Sequence, residues 1–206
     1  MSNTSLGAVE VHGTTRAAFL LRGALSAGAL LGAGAAGPFV RDALAQESGG
    51  DLEILNFALT LEYLESTFYE RAVMKGKGLS SEARALALEI RDNERSHVDA
   101  LRTAITGSGG KPVEAPDVGF GLAFTSEAKF LELAQALEDT GVSAYNGAAP
   151  SIESIEILAA AGSIVQVEAR HAALIRLMRG QLPAPDAFDK PLDAQQVLAA
   201  VKPFMR

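Results

Sequence analysis

The chain contains no cysteine among its 206 residues, which excludes disulfides and thiolate metal sites. An oxidising compartment is compatible with that absence but is not required by it. Basic charge is short too: 18 Lys and Arg against 25 Asp and Glu leave a net charge of −7. Nothing here invites nucleic acid or an anionic membrane, both of which select basic patches. Histidine occurs only three times. No long unbroken apolar run is present either, because the Ala/Gly/Leu-rich stretch from Ala17 to Val40 is interrupted by Arg22 and by glycines, and so is poorly suited to span a bilayer. What remains is 48% hydrophobic and 21% charged, enough apolar material for one globular core.

Residues 1–45 stand apart from the rest. The apolar stretch follows a Thr-rich start and ends in Ala43-Leu44-Ala45, an A-x-A cleavage pattern, and the segment reads as a secretory signal. Within it Thr15-Arg16-Ala17-Ala18-Phe19-Leu20 resembles the twin-arginine export motif, with alanine where the second arginine belongs. The expectation is an exported protein, periplasmic or extracellular, with no membrane attachment once the signal is removed. Cleavage against retention as an anchor, and the export route, stay open. Without these residues, 15 basic and 23 acidic side chains give a net charge of −8.

Two of the three histidines stand three residues after a glutamate, in Glu94-Arg95-Ser96-His97 and Glu168-Ala169-Arg170-His171. On a helix this spacing sets both side chains on one face, one turn apart. A carboxylate and an imidazole so placed can bind one metal ion. Glutamate fills 16 of 206 positions, so two chance coincidences carry odds on the order of one in 150. Each motif is preceded at nearly equal distance by a glutamate with a tyrosine seven residues on, Glu62 with Tyr69 and Glu138 with Tyr145. Leu61-Glu62 matches Leu137-Glu138, and Arg102 matches Arg176, each eight residues after its motif glutamate. The chain is thus a weak internal duplication: two helical hairpins facing each other, since a solenoid needs more copies.

In order, residues 46–50 form a polar linker. Leu52, Leu55, Ala58, Leu59, Leu61, Leu64 and Phe68 recur at helical spacing, without glycine or proline, and predict a first helix from Asp51 to about Val73. Lys75-Gly76-Lys77-Gly78 ends it, Ser80 or Ser81 caps the next, and so short a loop makes the pair antiparallel. A second helix runs to about Ile105. Thr106 to Thr125, with five glycines and two prolines, is long for a compact domain but suits a bundle whose second and third helices are parallel and need a crossover. A third helix is expected from Ser126 to about Tyr145, and a fourth from Ile152 to about Arg179 with Ser151 as its cap. The stretch Ile157 to Val167 is apolar nearly all round and should lie deep, with Gly162 admitting a close neighbour. Residues 181–192 should form an extended arm and Asp193 to Val201 a short helix, docked by Phe188 and Phe204. The domain division is 1–45, a bundle at 51–180, and a C-terminal arm at 181–206.

Glu62, Glu94, His97, Glu138, Glu168 and His171 would then face inward together. Burying so many ionisable groups is costly unless they pair or bind cations. Two divalent ions would offset four carboxylates and leave the imidazoles neutral. Oxygen donors with one nitrogen per ion suit iron or manganese, whereas structural zinc favours the absent cysteine.

These motifs, with Ile54-Leu55-Asn56-Phe57-Ala58-Leu59, Phe68-Tyr69 and the stretch Leu137 to Tyr145, resemble the ferritin-like domain family that includes bacterial exported and plant desiccation-related proteins. That family lies within the ferritin-like di-metal carboxylate superfamily. The resemblance implies an all-α, ferritin-like four-helix bundle with the long crossover between helices 2 and 3. It implies Glu62 and Glu138 as terminal or bridging ligands, Glu94 and Glu168 as bridges, and His97 and His171 each on one of two iron or manganese ions. Tyr69 and Tyr145 are expected either to bond ligand carboxylates or to be plain interior aromatics. Glu65, one turn beyond Glu62, is its rival on the first helix; the match of Leu61-Glu62 to Leu137-Glu138 favours Glu62 and leaves Glu65 to support the ligands. O₂, H₂O₂ or ferrous iron are the implied substrates, in a superfamily spanning ferroxidases, peroxide-reducing proteins, manganese catalases and oxygenases. The desiccation-related relatives and the proline-rich tail keep a second class open: a stress-related protein with a structural site, working through its surface. Assembly into a homo-oligomer stays open as well.

Overall fold

The structure is a computed structural model and describes residues 50–76 and 78–206. The segment expected to be a signal, with its A-x-A pattern and twin-arginine-like motif, lies outside the described residues, as does His12. Among the described residues five α-helices follow in order: α1 Asp51–Lys75, α2 Ser81–Gly107, α3 Glu127–Ala148, α4 Ile155–Met178 and α5 Ala194–Val201. No strand occurs among the described residues, and no described helix is long and apolar enough to cross a membrane.

Each helix start has a local cause. The side-chain oxygens of Ser80, Ser126 and Ser154 accept from Ala83, Lys129 and Ile157 backbone N–H groups and so cap α2, α3 and α4. Asp193 and Gln196 close a reciprocal capping box on α5. The fourth helix therefore begins later than the sequence predicts. Pro150 lies in a one-turn 3₁₀ helix, Ala149–Ser151, and the cap is Ser154 in place of Ser151. Asp51, at the start of α1, accepts from the backbone N–H groups of both Glu153 and Ser154 at 2.7 Å and fixes this entry.

α1 packs on α2 and α3 on α4 as two hairpins, joined through α1 with α3 and α2 with α4. The crossover, residues 108–126, is held at both ends of the bundle. Asn56 Oδ1 accepts from Val113 N–H, while Arg71 donates to the Val118 carbonyl and lies 5.4 Å over the Phe120 ring. The C-terminal segment pairs with it, Val118 bridging to Met205 and Gly119 N–H donating to the Phe204 carbonyl. Phe204 packs on the core as expected, but Phe188 is 90% exposed and docks nothing. Leu192 does that work instead: it donates to the Ser143 carbonyl, and its own carbonyl crosses so close to Gly147 that no Cβ would fit there.

The depth expected of α4 is also corrected. Ile155 is 78% and Leu158 39% exposed, Ala159 and Ala160 are exposed, and nothing lies within 4 Å of where a Gly162 Cβ would stand. A bundle one helix thick leaves every helix an outer face, and here that face is built of small and apolar side chains.

Candidate metal centre

Glu62 from α1, Glu94 and His97 from α2, Glu138 from α3, and Glu168 and His171 from α4 converge between the hairpins. The four glutamates have no exposed surface, and His97 and His171 are 8% and 3% exposed. His97 Nδ1 lies 2.9 Å from Glu168 Oε1, 3.3 Å from Glu62 Oε2 and 3.4 Å from Glu94 Oε2. His171 Nδ1 lies 3.1 Å from Glu94 Oε1 and 3.2 Å from Glu138 Oε2. One N–H cannot serve so many oxygens. His97 Nδ1, Glu62 Oε2 and both oxygens of Glu94 and Glu168 are buried without a hydrogen-bond partner, which is costly for such groups.

Two overlapping sets of atoms, each within 4.8 Å of one another, can each surround a cation: Glu62, Glu94, His97 and Glu168, and Glu94, Glu138, Glu168 and His171. Glu94 and Glu168 belong to both. The unpartnered atoms are carboxylate oxygens and His97 Nδ1, and His171 Nδ1, bonded to Glu138, faces the second set, so the residues present fit divalent cations.

Both tyrosines reach across from hairpin to hairpin. Tyr145 donates to Glu62 Oε1 at 2.6 Å, and Tyr69 donates to Glu138 Oε1. Burial, followed by the charges of Glu62 and Glu138 respectively, pushes both hydroxyls well up, so they remain donors. Glu65, 3% exposed, belongs to neither set. It leans on α3 at Gly141, where a Cβ would meet its Oε1 at 3.1 Å and Glu168 Oε2 at 3.5 Å. The close approach thus occurs at Gly141, not at Gly162.

The proton inventory of this cluster follows from burial and charge. Burial draws the imidazoles down, but Glu168, Glu62 and Glu94 outweigh it at His97, pushed up to about 12. Glu138 and Glu94 do the same at His171, raised to about 10. Burial and the charges of Glu168 and Glu62 raise Glu94 to about 8. Burial with neighbouring carboxylates also holds Glu168 and Glu65 well up, whereas at Glu62 the His97 contact overrides burial and lowers it.

Asn93 completes the site, and sequence reasoning passes it over. Its amide stands 3.1 Å from His171 Nε2. With Nδ1 given to a metal, Nε2 would carry the proton, and the amide, whose Nδ2 faces it in this structure, would turn its oxygen to accept. Its mate in the second half is Val167, so the duplication carries no sign of it. Arg102 and Arg176 point away, onto the Tyr63 hydroxyl and Asp139.

Four long helices around a buried cluster of carboxylates and imidazoles define an α-helical bundle with a site able to hold metal. More narrowly, the chain belongs to the ferritin-like domain family, whose sequence model matches residues 50–181. The crystal structure of a conserved hypothetical protein from Mycobacterium tuberculosis is similar, with a TM-score of 0.56 at 18% identity. The match covers 66% of this chain and 94% of that one, a likeness of fold. No curated protein matches the chain.

Proposed function

We propose that the chain is an exported di-metal protein of iron or manganese that works as an oxidoreductase on O₂, H₂O₂ or ferrous iron. The observation that carries this reading is the convergence of orphaned buried oxygens and a ring nitrogen in two sets sharing Glu94 and Glu168. On this reading Glu62 and His97 would hold one ion and Glu138 and His171 the other, with Glu94 and Glu168 available to both. Two such ions, when bound, supply the electrons that reduce O₂ or a peroxide. Tyr145 and Tyr69 fix the ligand oxygens of Glu62 and Glu138, and Asn93 fixes the ring of His171. Glu65 stands beside Glu168 at Gly141 without joining either set.

The test is metal per chain by plasma mass spectrometry on protein loaded anaerobically with iron or manganese. Close to two ions are expected, lost in a Glu94→Ala/Glu168→Ala double variant, with peroxide or ferrous-oxidase turnover in the loaded protein. No bound metal would overturn the reading, and two bound ions without turnover would reduce it to a structural site. Export is checked separately by fractionating the host cell and sequencing the N-terminus of the secreted form.

A further inference from the structure

The two ends of the bundle are not alike, although the halves of the chain are related. Beyond Tyr69 aromatic rings pack the interior: Phe68 stacks on Phe130 at 5.5 Å and meets Phe120 edge-on at 5.2 Å. Phe68 and Phe130 are fully buried. Beyond Tyr145, at the opposite end, lies a cavity of about 280 Å³ bordered by all four long helices.

The duplication explains the difference. Ala144 is the mate of Phe68, as Tyr145 is of Tyr69. Ile54 is the mate of Phe130, as Glu62 is of Glu138, and Ala104 is the mate of Met178, as Arg102 is of Arg176. All three cavity residues are smaller than their mates, and the volume that aromatic rings and a methionine fill at one end is open at the other. Several other lining pairs are unchanged in kind: Leu61 with Leu137, Ala58 with Ala134, Ala161 with Ala87, and Ile164 with Ile90.

The cavity sits directly on the metal centre. Ala58, Leu101 and Ile164 border it and stand four residues, one helical turn, from Glu62, His97 and Glu168. Its inner polar group, the Tyr145 hydroxyl, is already engaged by Glu62. At the mouth are the exposed Ser108 and Glu156, with Asp51 nearby on the α4 entry. Acidic groups at the mouth disfavour an anion. The space lies between helices, where a folded partner cannot enter. An apolar cavity of about 150 Å³ already admits benzene, so this one has room for a larger apolar body.

We propose that this cavity is a binding site for an uncharged apolar small molecule, of two-ring or medium-chain alkyl size, held one helical turn from the metal ligands. That the occupant meets bound metal rests on the function proposed above; that it binds does not.

The probe is the neutral dye N-phenyl-1-naphthylamine, titrated by fluorescence into the whole protein with and without chelator. One site per chain with micromolar affinity is expected in both conditions, with n-decanol displacing the dye at least tenfold more effectively than decanoate. Ala144→Phe, which installs the residue accepted at the symmetric position, should weaken dye binding at least tenfold while metal content per chain stays at the wild-type value. Ala104→Met repeats the test with a flexible side chain should Ala144→Phe fail to fold. No dye binding, or binding unchanged in a folded cavity-filling variant, would overturn the proposal. Dye binding by a protein that takes up no metal would instead fault the metal reading and leave the cavity assignment standing.

Discussion

Tyr145 and Glu62 illustrate how much one hydroxyl does here. Glu62 Oε1 has no exposure to water, and its hydrogen-bond donor among the described residues is the tyrosine at 2.6 Å. Removing the hydroxyl in Tyr145→Phe leaves a buried acceptor unsatisfied, at a cost of about 1–3 kcal/mol. It also frees the carboxylate to rotate, and losing a group that orients a metal ligand commonly lowers affinity by roughly ten to a hundredfold. Chelator competition on loaded Tyr145→Phe should show that loss. An unchanged chelator midpoint would mean that Tyr145 only fills space. The six clustered positions were legible in the sequence because the chain repeats them: a Glu-x-x-His pair is a weak sign alone and a strong one when duplicated with its upstream glutamate and tyrosine. Asn93 was illegible for the same reason. It acts on His171 from another helix, and its mate Val167 has nothing to donate or accept.

Helices were legible where local chemistry sets them and misread where tertiary placement decides. Apolar spacing and serine caps located all four long helices, with ends displaced by a few residues. At α4 the serine nearest Pro150 is not the cap, because the proline starts a 3₁₀ turn and Asp51 of another helix selects the start. The Ala- and Gly-rich outer face of α4 reads as interior by composition alone, yet no described element packs on it. That entry gives a prediction at the same scale. Asp51→Ala removes two side-chain acceptors from the orphan N–H groups where α4 begins, and should destabilise the protein by about 1–2 kcal/mol in chemical denaturation. Hydrogen exchange should accelerate at the Glu153 and Ser154 amides. Protection unchanged at both would assign the α4 start to Ser154 alone.

At the scale of the whole molecule, stability and metal are linked through protons, and the sign can be worked out. The folded, metal-free chain holds His97 and His171 protonated up to about 12 and about 10, against an ordinary value of 6.5. Between those limits it binds more protons than the unfolded chain, so stability falls as pH rises above the ordinary imidazole range. Glu94, raised from 4.5 to about 8, acts in the same direction from lower pH. Glu62, lowered from 4.5, opposes them only in more acidic solution. Metal-free protein should therefore melt at progressively lower temperature from about pH 5.5 to 9. Binding of divalent ions requires neutral imidazoles and ionised carboxylates, so loading releases protons and strengthens as pH rises. The melting curves of chelated and manganese-loaded protein should thus diverge with pH, nearly together near about pH 5.5 and furthest apart near about pH 9. Calorimetric titration in buffers of different ionisation enthalpy should report at least one proton released per imidazole. A metal-free melting temperature that is flat or rises over this range would mean that the buried imidazoles are neutral without metal. The cluster would then be held together by something other than pairing of imidazolium with carboxylate.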